Sequence, residues 1–342
     1  MIDITINNKK VKVSEGTTVL AAARKLGIEI PTMCFLEGLT NHPSCMLCIV
    51  KDVNKGQLQP SCALPASPGM VIITEDEEIN NARKEALELL LSDHVGDCEA
   101  PCRPSCPANM NIPLMNRLIA DGKFHEALKV VKQDIALPLI LGYICPAPCE
   151  KACRRNQVDD AVSICALKKN VAAHDIESDE IYFPKKEPSS EKKVAIIGSG
   201  PAGLSCAYYL LIQGYQCVIY DKNPESGGTL RYDIPEEKLP KSALVAEIGI
   251  INKLGAEFRL NTEIDKELFE SVLLTKYDAV VIAMGNLKDT NLHGFGFKSN
   301  DYGLQINRDT FEVNSKGIFA CGNIIRSRRM AITSVAQGKS TA

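Results

Sequence analysis

Residues 98–106 read CEAPCRPSC and residues 145–153 read CPAPCEKAC. Each run sets three residues between successive cysteines: Cys98, Cys102 and Cys106, then Cys145, Cys149 and Cys153. Cys165 follows in the segment VSICALKK at 162–169. A proline follows Cys106 and another follows Cys145. Thiolates this close together are the ligands an iron–sulfur cluster needs. About forty residues of helix-like pattern lie between the two runs. Outward from this centre, the N-terminal side carries a second cysteine set and the C-terminal side a nucleotide-binding signature.

Composition narrows the partners. The chain has 342 residues, enough for two or three domains, and 45% hydrophobic with 24% charged content is ordinary for a globular protein. A net charge of -3 gives no basic footprint for nucleic acid or an anionic membrane, and tryptophan is absent. No apolar run is long enough to span a bilayer, and MIDITINNKKVKV alternates like a strand rather than a leader, so the expected location is cytoplasmic without membrane insertion. Eleven of the fourteen cysteines fall before residue 166, in clusters. Reducing cytosol disfavours disulfides; zinc remains the rival, but the spacing favours iron–sulfur.

Residues 2–6 and 9–13 read as a hairpin around Asn7-Asn8, followed by a short helix from Thr17 to Leu26 capped by Ser14 or Thr17. Cys34, Cys45, Cys48 and Cys62 are then separated by ten, two and thirteen residues, a complete ligand set for one [2Fe–2S] cluster. Met70 to Ile73 supplies a closing strand. This stretch resembles the β-grasp ferredoxin domain of the complex I large iron–sulfur subunit and of [FeFe]-hydrogenases. His42 lies in the same loop and reads as a surface residue, since four cysteines fill the site.

From Glu77 to Ser92 the apolar positions Ile79, Ala82, Ala86, Leu89 and Leu90 fit an amphipathic helix. His94 stands four residues before Cys98. In the complex I-like family a histidine at this distance ligates a [4Fe–4S] cluster; the alternative is a helix-end residue favouring the negative pole.

The segment from Cys102 to Arg155 resembles the N-terminal helical domain of the glutamate synthase small subunit and of dihydropyrimidine dehydrogenase. The cysteine run followed by proline, the helix pair, Leu137-Pro138-Leu139 and the second run ending in Cys153-Arg154 carry the likeness. The resemblance implies two [4Fe–4S] clusters with crossed ligands. Cys98 and Cys102 would join Cys153 on one, with His94 or Asp97 as the fourth ligand. Cys106 would join Cys145 and Cys149 on the other. The relatives' remaining ligand falls near Leu167-Lys168, and lysine is no plausible ligand. Cys165 is its substitute, or else a buried apolar thiol.

After a charged, proline-bearing linker at 176–192, the chain begins a strand–helix–strand unit. Strand Val194–Ile197 enters Gly198-Ser199-Gly200-Pro201-Ala202-Gly203; a helix follows, then strand Gln216–Tyr220, ended by Asp221. Here Gly200 lets a pyrophosphate approach, Gly203 lets helix and strand pack, and the helix N-terminus faces the phosphate charge; Asp221 stands where an acid can bond ribose hydroxyls. Three further segments resemble the FAD domain of the glutamate synthase small subunit. They are the loop with Gly227, Gly228, Leu230 and Arg231, the strand ending at Gly285, and the returning strand ending at Gly322-Asn323. The family usually has aspartate in place of Asn323. Its inserted NADPH domain is replaced here by about twenty residues, Asn286 to Asn307. Cys206, Cys217 and Cys321 are scattered singly and read as core residues.

The expectation is therefore an α+β and α/β multidomain chain: a β-grasp [2Fe–2S] ferredoxin-like head at 1–76, a helical [4Fe–4S] domain at 77–185 and a Rossmann-like FAD domain at 190–342. No acid/base constellation supports substrate chemistry, so no catalytic side chain is assigned. The resemblance implies an electron-transfer subunit of a multisubunit, flavin-based electron-bifurcating oxidoreductase, such as a hydrogenase, a formate dehydrogenase or a ferredoxin–NAD(P) oxidoreductase. Its implied partners are an NADH-oxidising flavoprotein subunit of the complex I type, a second catalytic subunit and ferredoxin. Two alternatives stay open: a self-contained FAD and iron–sulfur reductase acting on ferredoxin or a small substrate, and a structural adaptor with relic cofactor sites.

Overall fold

The computed structural model describes residues 1–92, 99–178, 180–286, 295–326 and 330–342. The chain divides into two compact units, Met1–Cys98 and Glu99–Ala342.

The first unit is built on a five-stranded mixed sheet. Strands Ile2–Ile6 and Lys9–Val13 form the expected hairpin, and Asn7 and Asn8 both take positive φ, the conformation a two-residue hairpin turn demands. Strand Val71–Ile73 runs parallel to Ile2–Ile6 and antiparallel to Ile49–Asp52, which pairs with Gln57–Pro60. Helix Val19–Lys25 buries Val19, Leu20, Ala22 and Ala23 against this sheet. Its cap is Thr18, not Ser14 or Thr17: the Thr18 hydroxyl accepts from the Ala21 N–H at 3.2 Å. Helix Glu77–Ser92 belongs to the same unit. Of its apolar residues only Ile79 is buried, while Leu89 and Leu91 are 70% and 64% exposed.

The second unit joins a helical part to a parallel sheet through one hydrophobic core. The sheet order is Ile318–Ala320, Ala279–Ile282, Lys193–Ile197, Gln216–Tyr220, Glu257–Arg259, with every neighbour parallel. Strand order therefore reverses at Lys193–Ile197, the topological switch point where open α/β sheets bind ligands beyond their strand ends. Helix Pro201–Ile212 is buried on nearly every side, between the sheet and the C-terminal helix Ala331–Thr341. Such all-round burial explains its almost uniformly apolar sequence.

Polar contacts fasten the helical part to the sheet part. The Glu247 carboxylate, on helix Lys241–Lys253, accepts from the Leu139 and Ile140 N–H groups at 2.8 and 2.9 Å. These are orphan donors of the first turn of helix Pro138–Ile144, so Glu247 caps that helix from across the core. Tyr209 donates to the Lys132 carbonyl at 3.2 Å, and Lys339 meets Asp134 at 2.6 Å. No helix among the described residues is long and apolar enough to cross a membrane.

Candidate functional site

Cys34, Cys45, Cys48 and Cys62 come together in the first unit. Backbone N–H groups of Ser44 and Cys45 donate to the Cys34 sulfur and hold its pKa down to about 7. Burial pushes Cys62 up to about 11, and Cys48 and Cys34 lie close enough to add to that shift. Asn41 donates to the Cys62 carbonyl at 2.7 Å and braces this loop. Cys45 and Cys48 flank the left-handed Met46, so one tight turn carries both thiols. His42 is exposed.

The second set lies in the helical part. Cys106, Cys145, Cys149 and Cys165 line one small apolar pocket with Met110, Ile112, Ile135, Ile164, Lys168 and Ile332. Cys145 is the C-cap of helix Pro138–Ile144, and Cys149 lies on the short helix Pro148–Lys151 just beyond. Cys165 enters from the first turn of helix Ile164–Ile176 and hydrogen-bonds with both Cys145 and Cys149. The Cys145 thiol is held well above its usual range, first by its bond to Cys165 and then by burial. Cys149 is pulled down by its bond to Cys165, against burial. The Glu150 carboxylate accepts from the Cys165 N–H at 2.8 Å and ties that thiol's backbone to the second cysteine run.

Cys102 lies near Cys153 and Cys106, and its pKa is raised mainly by burial. The expected partners Cys98 and His94, with Asp97, lie outside the described residues. Among the described residues, no three His, Cys, Asp or Glu side chains converge as they would on one metal ion. A cluster asks for something different: its thiolates bind different irons and stand further apart than the ligands of a single ion. All-thiol donor sets in partly buried, apolar surroundings fit iron–sulfur clusters.

The third site is a cavity of about 690 Å³ at the carboxyl ends of all five parallel strands. Gly198, Gly200, Pro201, Ala202, Asp221, Gly228, Gly285, Gly322 and Asn323 line it. A side chain on Gly203 would sit 2.0 Å from the Gly198 carbonyl oxygen, so helix and turn touch there and Gly203 stays behind the wall. At Gly200 nothing lies within 4 Å of that position, which leaves the turn open to a phosphate at the helix N-terminus. Volume, open glycine and helix end together fit a dinucleotide.

Two expected residues sit elsewhere. Leu230 is buried, and Arg231 turns away to donate to the Ser226 carbonyl at 2.7 Å and pair with Glu225 at 3.1 Å. Asp221 reaches the cavity but is already engaged. One carboxylate oxygen accepts from the Ser199 N–H and hydroxyl at 2.8 and 2.6 Å; the other accepts from the Asn223 N–H and side-chain amide at 2.9 and 3.0 Å. These bonds use its roughly four acceptor positions and lock the glycine turn to the second strand. Sequence reading missed Tyr232, Thr262, Glu263 and Ser334, which also line the cavity. The first three lie outside any motif; Ser334 lies on the closing helix Ala331–Thr341 that the sequence pattern already marked.

Comparison with known proteins finds three family matches along the chain. Residues 1–77 match the 2Fe-2S iron-sulfur cluster binding domain and residues 74–180 the dihydropyrimidine dehydrogenase domain II, 4Fe-4S cluster. Residues 166–339, more than half of the chain, match the pyridine nucleotide-disulphide oxidoreductase family. The chain is 33% identical over 282 residues to the NADPH-Fe(3+) oxidoreductase subunit beta of Geobacter sulfurreducens, covering 79% of this chain and 40% of that one. It is 36% identical over 225 residues to the NADP(+)-dependent formate dehydrogenase subunit beta of Moorella thermoacetica, covering 60% of this chain and 32% of that one. With the glutamate synthase [NADPH] small chain of Escherichia coli it shares 34% identity over 224 residues, 65% of this chain and 48% of that one. It thus spans half or less of the length of these curated relatives. A crystal structure of an NAD+-reducing [NiFe]-hydrogenase aligns at a TM-score of 0.26 with 32% identity, over 35% of this chain and 49% of that one. The chain belongs to the pyridine nucleotide-disulphide oxidoreductase family, with a [2Fe–2S] domain and a [4Fe–4S] domain ahead of the family's FAD-type domain.

Proposed function

We propose that the chain is an electron-relay subunit of a multisubunit oxidoreductase. One observation carries the reading: the Cys106, Cys145, Cys149 and Cys165 pocket and the dinucleotide cavity share a wall, because helix Ala331–Thr341 lends Ile332 to the first and Ser334 to the second. When bound, a flavin takes up two electrons and can release them singly, while iron–sulfur clusters pass one at a time.

The chain's own residues would hold these groups. Gly200 and the N-terminus of helix Pro201–Ile212 grip the pyrophosphate, Gly228 and Gly285 frame the cavity, and Asp221 fixes the turn through Ser199. Asn323 offers a neutral hydrogen bond where aspartate is usual in the relatives. Cys106, Cys145, Cys149 and Cys165 would take one [4Fe–4S] cluster. Cys98, Cys102 and Cys153 would take a second, with His94 or Asp97. In the β-grasp head, Cys34, Cys45, Cys48 and Cys62 would take the [2Fe–2S] cluster.

The connection between the strand ending at Ile282 and the strand at Ile318–Ala320 includes a small ribbon, Ser299–Asn300 with Gly303–Leu304. It offers no second strand–glycine–helix unit in its sequence to hold a nicotinamide nucleotide against the flavin. Reducing equivalents would therefore come from, or go to, partner subunits: a nucleotide-oxidising flavoprotein and a second catalytic subunit of the hydrogenase or formate dehydrogenase kind, or ferredoxin. An electron-bifurcating assembly is the form of this reading that uses every site. The names of the beta subunits in Geobacter and Moorella support the coarser reading, a subunit of a multisubunit oxidoreductase. Anaerobic purification from the native source should yield FAD, about ten irons with matching sulfide, and co-purifying redox chains. Stoichiometric zinc with little sulfide, or a flavin-free protein purified alone, would overturn it.

A further inference from the structure

Lys168 stands in the wall of the thiol pocket and is 3% exposed. It lies one turn beyond Cys165 on helix Ile164–Ile176. Its ammonium is close enough to favour the thiolate forms of Cys145, Cys149 and Cys165 at once. On another side it faces the buried carboxylate of Glu247, which is already occupied by the Leu139 and Ile140 N–H groups. Burying a lysine is costly, and a site that keeps one beside sulfur ligands gains the field of that charge.

We propose that Lys168 is a positioning residue for electrons rather than atoms: its fixed positive charge beside Cys106, Cys145, Cys149 and Cys165 raises the midpoint potential of the cluster held there. Reduction adds one negative charge to a cluster. A cation acts on that added charge more strongly through low-dielectric surroundings than it would through water. Met110, Ile112, Ile135 and Ile332 line the rest of the pocket and provide those surroundings. The effect is directional: it draws electrons from the flavin cavity, across Ile332, toward the cysteine pocket.

This inference rests on the reading of that pocket as a cluster site. The test is an anaerobic potentiometric titration of the full holo chain, followed by electron paramagnetic resonance, for the wild type and the variants Lys168→Met, Lys168→Gln and Lys168→Arg. Cys165→Ser identifies which signal belongs to the pocket. Lys168→Met and Lys168→Gln should both move that one signal to lower potential, leave the [2Fe–2S] signal in place, and keep iron content. Lys168→Arg should stay near the wild type. A pocket signal that does not move in either neutral variant overturns the role of Lys168 while leaving the cluster assignment intact. A Cys165→Ser variant that neither loses nor converts a cluster signal overturns both. Should one neutral variant fail to assemble, the other carries the same comparison.

Discussion

Ile332 and Ser334 are two residues apart on one helix, yet Ile332 lines the pocket of four cysteines and Ser334 lines the dinucleotide cavity. The two sites are therefore back to back inside a single folded unit. Helix Ala331–Thr341 also packs along helix Pro201–Ile212, whose N-terminus faces the cavity, and its Gln337 side chain accepts from the Gly322 N–H at 2.9 Å. Changing this helix should disturb both sites together.

The glycine turn offers a sharp contrast. A valine at Gly200 would project into open space, so Gly200→Val should fold but lose FAD affinity by about tenfold or more, through obstruction of the phosphate. At Gly203 a side chain meets the Gly198 carbonyl, so Gly203→Val should compromise folding itself. Flavin released on denaturation, together with thermal melting of each variant, separates the two. Equal flavin content in Gly200→Val and wild type would contradict the placement of the pyrophosphate.

Much of this was legible in the sequence because it rests on local chemistry. Cysteine spacing brings thiols together over a turn or two, and the strand–glycine–helix pattern fixes its own geometry. Cys206, Cys217 and Cys321 are buried, as expected of isolated thiols in apolar strands and helices. Longer-range features escaped. Nothing in the spacing reveals that Asp221 spends its oxygens on Ser199 and Asn223, or that Arg231 turns to Glu225. Nor does the helical pattern of Glu77–Ser92 disclose that its leucines stay exposed. The shared core of the helical and sheet parts comes from packing between segments a hundred residues apart, as at Leu139 and Glu247.

Cys165 carries a prediction of its own. It contacts Cys145 and Cys149, which fits a fourth ligand better than an inert core thiol. Cys165→Ser should remove or convert one [4Fe–4S] signal and leave the [2Fe–2S] spectrum unchanged. An unaltered cubane spectrum would return Cys165 to a structural role. The same experiment on His94→Ala asks whether that residue ligates the other cluster.

Glu247 should make one helix end pH-sensitive. Burial lifts its pKa to about 7, although the Ile140 and Leu139 N–H groups and the lysines Lys132 and Lys168 oppose that shift. The folded pKa lies above the unfolded one, near 4.5, so the native state holds its proton longer. Stability at this site should fall as pH rises between those values and level off above about 7, by on the order of 3 kcal/mol in all. Hydrogen exchange at helix Pro138–Ile144 in the holo chain, corrected for intrinsic rates, should show that loss of protection; Glu247→Gln should flatten it. Protection rising with pH in the wild type would reverse the sign and refute the account.

The relay reading is tested most directly by rapid anaerobic mixing of the isolated holo chain with NADH or NADPH while the flavin absorbance is followed. Hydride transfer needs the nicotinamide held against the flavin ring, and the short segment between Ile282 and Ile318 lacks the sequence signature of a platform for it. Neither nucleotide should bleach the flavin at a useful rate, although a chemical reductant does, and adding the partner subunits should restore reduction. Rapid bleaching by either nucleotide, with no partner present, would contradict the relay and make the chain a self-contained reductase.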